Sequence, residues 1–136
     1  MNTLHLKQNV LVKVIVTEKF KEKYKKELEK QLKEAEGKAK SLKSSLAELV
    51  IQSAGANSTG YVESLKAQIE QERMLQEALA SELREKIKEA EKLEIGSLFP
   101  YTMIEGNVDV KEGDNLWEKV ANGEIVVKDD IIISIK

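Results

Sequence analysis

The chain has 136 residues, 34% of them charged, a net charge of -2, only 4% aromatic residues and no cysteine. That length suits a single domain, and the balance of many charges and few aromatics is closer to a coiled coil than to a compact enzyme. Without cysteine neither a disulfide framework nor a thiolate metal site can form, which fits a reducing cytoplasm.

The chain opens on a strand pattern. Val10, Val12, Val14 and Val16 alternate with Leu11, Lys13 and Ile15, the period of two that puts alternate side chains on opposite faces. This N-terminal stretch lacks a basic region followed by an apolar run and a small-residue cleavage site. No apolar run in the chain approaches the roughly 20 residues of a membrane span, so neither export nor membrane insertion is expected.

From Thr17, a suitable N-cap followed by Glu18 in the positive first turn, the period becomes helical. Leu28, Leu32, Ala35, Ala39, Leu42, Leu46 and Leu49 alternate steps of four and three, a heptad seam. Upstream, Phe20, Tyr24, Leu28 and Leu32 step by four. In a second helix Leu75, Leu79, Leu83 and Ile87 also step by four before Ala90. Between the helices "SAGANSTG" supplies small and polar residues, and folding back near Asn57 pairs the two seams. Leu28 then faces Ile87, Leu32 faces Leu83, Ala35 faces Leu79, Ala39 faces Leu75, Leu46 faces Ile69 and Leu49 faces Leu65. The shared run of four-residue steps predicts a nearly straight hairpin base. Gln76 and Arg73 interrupt the second seam and mark its weak or register-setting point. The halves carry opposite charge: residues 18–52 hold ten lysines against seven glutamates, and residues 61–95 hold nine glutamates against six basic residues. Each helix should be on the order of 50 Å long.

Gly96 and Pro100 are expected to end the second helix. "MIEGNVDVKEG", "EIVVK" and "IIISI" are three further strand candidates, with Asp129-Asp130 as the tight turn between the last two. "NLWEKV" predicts one helical turn placing Trp117 and Val120 against the sheet. The expected fold is α+β: an antiparallel coiled-coil hairpin over 18–95, with tip loop 53–60, projecting from a small half-barrel-like β lobe built from 1–17 and 96–136.

"VKVIVTEKFKE" at Val12–Glu22 resembles the strand-to-helix transition of the YlqD family, bacterial and cyanobacterial proteins of uncharacterised function. "LEIGSLFPYTMIEGNVDVKEGDNLWEKV" and "EIVVKDDIIISI" resemble its C-terminal segment. Where that family is expected to carry Asp-Gly in its final hairpin, this chain has Asp129-Asp130. The resemblance implies a fold and no reaction. It also implies genes placed near those for ribosome maturation, an association rather than a mechanism.

The residues offer little chemistry. His5 is the single histidine, too few for a histidine-based triad or a multi-histidine metal site, and it reads as an exposed terminal residue. Asp109, Asp114, Asp129 and Asp130 could serve as acids, bases or Mg²⁺ ligands, but Gly113-Asp114-Asn115 and Asp129-Asp130 have turn composition. No glycine pattern cradles a phosphate. Asn57-Ser58-Thr59 matches a glycosylation sequon, which reads as loop chemistry in a chain that is not exported. No catalytic residue, cofactor, metal or small-molecule substrate is therefore expected.

Two surfaces could bind partners. Val50, Ile51, Tyr61 and Val62 at the hairpin tip could close on themselves or contact another chain. Lys19, Lys23, Lys26 and Lys30 could meet RNA phosphates, yet they alternate with glutamates in the manner of a solvated helix face. The favoured expectation is a cytoplasmic, non-enzymatic interaction or scaffolding protein that binds a protein partner or itself. An RNA- or ribosome-associated factor and a prefoldin-like chaperone arm are the alternatives.

Overall fold

The computed structural model describes residues 2–54 and 60–136. Its elements are β1 (Thr3–Ile15), α1 (Glu18–Ser53), α2 (Gly60–Glu91), β2 (Leu98–Lys111), α3 (Leu116–Val120), β3 (Gly123–Lys128) and β4 (Ile131–Ile135). Asn57 and the rest of the expected turn centre, including the sequon, lie outside the described residues, while Ser53 and Gly60 are already helical. The chain divides into two compact units, Met1–Lys21 with Leu93–Lys136, and Glu22–Lys92.

The first unit is a mixed four-stranded sheet of order β2-β1-β3-β4. β1 runs antiparallel to β2 and parallel to β3, and β3 pairs antiparallel with β4. The sheet is open, with β2 and β4 as its edges, so the expected curl towards a barrel does not go on to closure. β1 extends seven residues further towards the N-terminus than Val10, because Leu4 and Leu6 continue the even-numbered apolar set across interleaved His5, Lys7 and Asn9. Pro100 lies inside β2 rather than acting as a helix stop. It sits opposite Lys13, beside a bulge and on an edge strand, where a missing N–H need not cost a ladder bond.

The passage from sheet to helix is built at Val16, which is 0% exposed. Its N–H donates to the Ser97 carbonyl at 2.9 Å, and its carbonyl accepts from the Gly96 N–H at 2.7 Å. Gly96 has φ +90°, a conformation glycine takes without steric cost. Thr17 is the expected cap: its Oγ1 accepts from the Phe20 N–H at 3.1 Å, and its hydroxyl donates to Asp129 Oδ1 at 2.7 Å. Phe20 packs against Phe99 and edge-on against Tyr101, with ring centroids at 6.1 and 5.6 Å.

Asp129 and Asp130 both have positive φ, 47° and 69°, the backbone of a two-residue turn whose twist matches the flanking strands. Aspartate tolerates that region better than most residues but less well than glycine. Glycine in place of an aspartate here would ease that backbone, read in the denaturation midpoint. Asp129 should not accept the same change without loss, because its carboxylate holds Thr17.

In the second unit α1 and α2 pack as a hairpin. Leu28, Ala35, Ala80, Leu83 and Ala90 form its buried cluster, with Tyr24, Leu32 and Ile87 against it. In α1 the buried and half-buried positions include Phe20, Tyr24, Leu28, Leu32, Ala35, Ala39, Leu42, Leu46 and Leu49, the predicted seam, with Lys25 beside it. In α2 they include Val62, Lys66, Ile69, Arg73, Gln76, Ala80, Leu83, Ile87 and Ala90, again unbroken steps of four and three.

This corrects the expected second seam. Leu75 and Leu79 are 58% and 42% exposed, and Gln76 and Ala80 take their places. The four-residue steps from Phe20 to Leu32 hold in α1 but have no counterpart in α2, so the irregularity is not shared and the reason to expect an unusually straight base falls away. Arg73 occupies a seam position because its charge is satisfied at the flank. Its Nε donates to Glu70 Oε2 at 3.0 Å, and its Nη1 lies 2.7 Å from Glu77 Oε1. An arginine held this way can lay its aliphatic stem along apolar neighbours. Between the helices, Arg84 Nη2 donates to Glu36 Oε1 at 2.9 Å, and Lys25 Nζ lies 2.9 Å from Glu91 Oε1. In the register these pairs define, Leu28 meets Ile87 and Leu32 meets Leu83 as expected, while Ala35 meets Ala80.

Candidate interaction surfaces

A four-stranded sheet has two faces, and residues paired across strands share one. Val10, Val12 and Val14 of β1 lie in register with Ile104, Thr102 and Phe99 of β2, and with Gly123, Ile125 and Val127 of β3. Ile125 in turn pairs with Ile135. This face is predominantly apolar. The opposite face carries the charges: His5 pairs with Asp109, Lys7 lies near Glu105, and Lys13 Nζ is 2.5 Å from Glu124 Oε1.

α3 covers part of the unit from one turn of helix, capped by Asn115, whose side chain accepts from the Glu118 N–H at 3.2 Å. Gln8 Nε2 donates to the Ala121 carbonyl at 2.5 Å and ties the end of this turn to β1. Val110 is buried beneath such cover. Trp117, expected against the sheet, is instead 78% exposed. In one helical turn residues 116 and 120 share a face, and Trp117 falls beside it. Leu4, Ile104, Leu116, Ile131, Ile132, Ile133 and Ile135 are also largely exposed.

The sequence-predicted contact residues stand as follows. Val50, Ile51 and Tyr61 are exposed, and Val62 is half-buried. All four flank the segment outside the described residues. Lys19, Lys23, Lys26 and Lys30 are exposed along α1, with Lys26 Nζ 3.4 Å from Glu22 Oε1 in the i,i+4 arrangement expected of a solvated face. On α2, Met74, Leu75 and Leu79 form a further exposed apolar stripe. Beside the seam, a groove of about 580 Å³ is lined by Glu36, Ala39, Lys43, Glu77, Ala80 and Arg84, where two alanines leave room between charges of both signs.

Lys13 and Glu124 are a charge pair of that polar face. The hydrogen bond from Lys13 holds the Glu124 carboxyl below its ordinary range, against the opposing effect of partial desolvation, and Lys136 at 3.9 Å adds to it. A depressed folded-state value means that this contribution is complete above the ordinary glutamate range and is lost as pH falls through the depressed value. Glu124→Gln should therefore be less stable than the parent at neutral pH, and the two should converge in acid. Denaturation midpoints across a pH series check this.

The family model for YlqD protein matches residues 4–136. The chain belongs to the YlqD family. A crystal structure of a protein of unknown function from Synechococcus sp. WH 8102 superposes with a TM-score of 0.82 at 25% identity, covering 99% of this chain and 95% of that one. No curated protein matches. The expected resemblance at both chain ends is thereby shown across nearly the whole length, helical hairpin included. Among the described residues of this YlqD chain, no helix is long and apolar enough to cross a membrane.

Proposed function

We propose that this YlqD protein is a non-enzymatic interaction or scaffolding protein of the cytoplasm, which binds a protein partner through apolar side chains displayed on its β unit. The observation that carries this reading is the exposure of Trp117 and Leu116 on α3, with Leu4 and Ile104 exposed on the strands of the same unit. Contiguous apolar surface is costly to leave in water at about 25 cal/mol per Å². Tryptophan, large and amphipathic, is the residue most often found as the anchor of a binding surface.

The test is affinity capture of the tagged full chain from its own cells, with and without nuclease, for the parent and for Trp117→Ser. Loss of a reproducible partner in Trp117→Ser, with the circular dichroism unchanged, is the expected result. A partner kept by that variant but lost in the triple change of Val50, Ile51 and Tyr61 to Ser would move binding to the hairpin end. Recovery that vanishes with nuclease, and weakens when Lys19, Lys23, Lys26 and Lys30 become Gln, would replace the proposal by RNA association. Suppression of aggregation of unrelated clients, without a defined partner, would favour a chaperone role.

A further inference from the structure

The two edges of the sheet are built differently. β2 carries Pro100, a bulge at Tyr101, and Glu105, Asp109 and Lys111 along its length, devices that discourage a second strand from adding to an edge. β4, at the other edge, reads Ile-Ile-Ile-Ser-Ile, with no proline and no charge. Its one protective irregularity is a bulge at Ile133, between the pairs Val126–Ser134 and Val127–Ile132. All four isoleucines are at least half exposed. Lys136 and Glu124 exchange both backbone hydrogen bonds, at 2.9 and 3.3 Å, so by the alternation of an antiparallel ladder Ile135 turns its N–H and C=O away from β3, towards the open edge.

The two-residue turn closes on the pair Lys128–Ile131, so Ile132 likewise faces the open edge. We infer that β4 is a self-association edge: two copies of this chain pair β4 against β4 antiparallel about a two-fold axis between Ile133 and Ser134, which sets Ile135 of one copy opposite Ile132 of the other and joins their sheets. The inference rests on the reading that the β unit binds protein, and it commits to a second copy for this edge. Charge selects the orientation. Asp129 and Asp130 precede the strand and Lys136 follows it, so antiparallel pairing sets the acids of one copy beside the lysine of the other, whereas parallel pairing would set like charges together. A strand edge is also complementary to its own copy under two-fold rotation, the commonest symmetry of homodimers. The four isoleucines offer on the order of 400 Å² per copy, below the roughly 800 Å² each partner gives to a standard interface. Association should therefore be reversible and appear in the micromolar range.

Sedimentation or light scattering of the full chain across that range should show a monomer-to-dimer transition. Lys136→Glu, an exposed change that leaves the fold intact by circular dichroism, places like charges across both symmetric contacts and should raise the dissociation constant about tenfold. Because the chain has no cysteine, a single introduced one reports proximity cleanly. Ile133→Cys lies beside the axis, one residue from its own copy and within the roughly 7 Å between Cα atoms that a disulfide requires, and should form a covalent dimer on mild oxidation. Ile131→Cys sits five residues from its own copy and should cross-link at least tenfold more slowly, by about 16 Å of separation along the strand. A parent that stays monomeric, equal cross-linking at the two positions, or a dimer indifferent to Lys136→Glu would each overturn the inference. A monomer that still captures a partner through Trp117 would reject the dimer alone, and a dimer without a captured partner would reject the other reading.

Discussion

Leu83→Lys should lower stability by about 3–5 kcal/mol, whereas Leu79→Lys, four residues away on the same helix, should change it by no more than about 0.5 kcal/mol. Leu83 is 2% exposed and packs with Leu28, Ala35 and Ala80. A lysine there loses the apolar contacts and also brings a charge into a site with no partner built for it. Leu79 lies outside that cluster and is 42% exposed, so a lysine there keeps its charge in water. Chemical denaturation of both variants measures the difference directly. Equal losses would mean that the two leucines share the seam and that the register drawn from Glu36–Arg84 is wrong.

The second large effect is expected at Val16. Val16→Asp would place a carboxylate where nothing is exposed to water, and the backbone groups around it are already engaged with Gly96 and Ser97. The cost should be about 3–5 kcal/mol, enough to unfold a marginal unit. Val16→Thr keeps the shape and adds one hydroxyl without an evident partner, so about 1–3 kcal/mol is expected. Measuring both separates the loss due to charge from the loss due to an unsatisfied polar group. Unfolding midpoints that order Asp below Thr below the parent are the expected outcome.

Much of this architecture was legible from local pattern. The α1 seam, β4, the Asp129-Asp130 turn and the Thr17 cap each depend on a few neighbouring residues, and each was found where predicted. The α2 seam was misread because apolar type was taken as the mark of burial. Lys66, Arg73 and Gln76 hold seam positions through charge partners and long stems, so the leucines beside them drew the assignment to the wrong stripe. An unbroken four-three spacing carried through from Ile87 would have found Ala80.

The candidate surface was harder to see for a different reason. Strand alternation tells which residues share a face, but whether that face is covered depends on distant segments. α3 was expected to press Trp117 onto the sheet, and a single turn of helix cannot bury residues on two of its sides. The lysines of α1 illustrate the same limit, since their positions on one exposed helix follow from spacing while what they bind does not.

The two helices keep the same seven-residue rhythm in matching register from Leu28 and Ile87 to Leu46 and Ile69. That makes hairpin length a modular quantity. Removing or adding one seven-residue block in each helix at facing positions restores every a and d position to a partner of the same kind, and leaves the sheet sequence untouched. An unmatched insertion of the same size, placed in one helix only, slides one seam past the other and sets Arg84 seven residues away from the position that meets Glu36. Length in this hairpin can therefore vary by paired steps of roughly 10 Å, the rise of one heptad, without rebuilding the packing around Leu28 and Ile87.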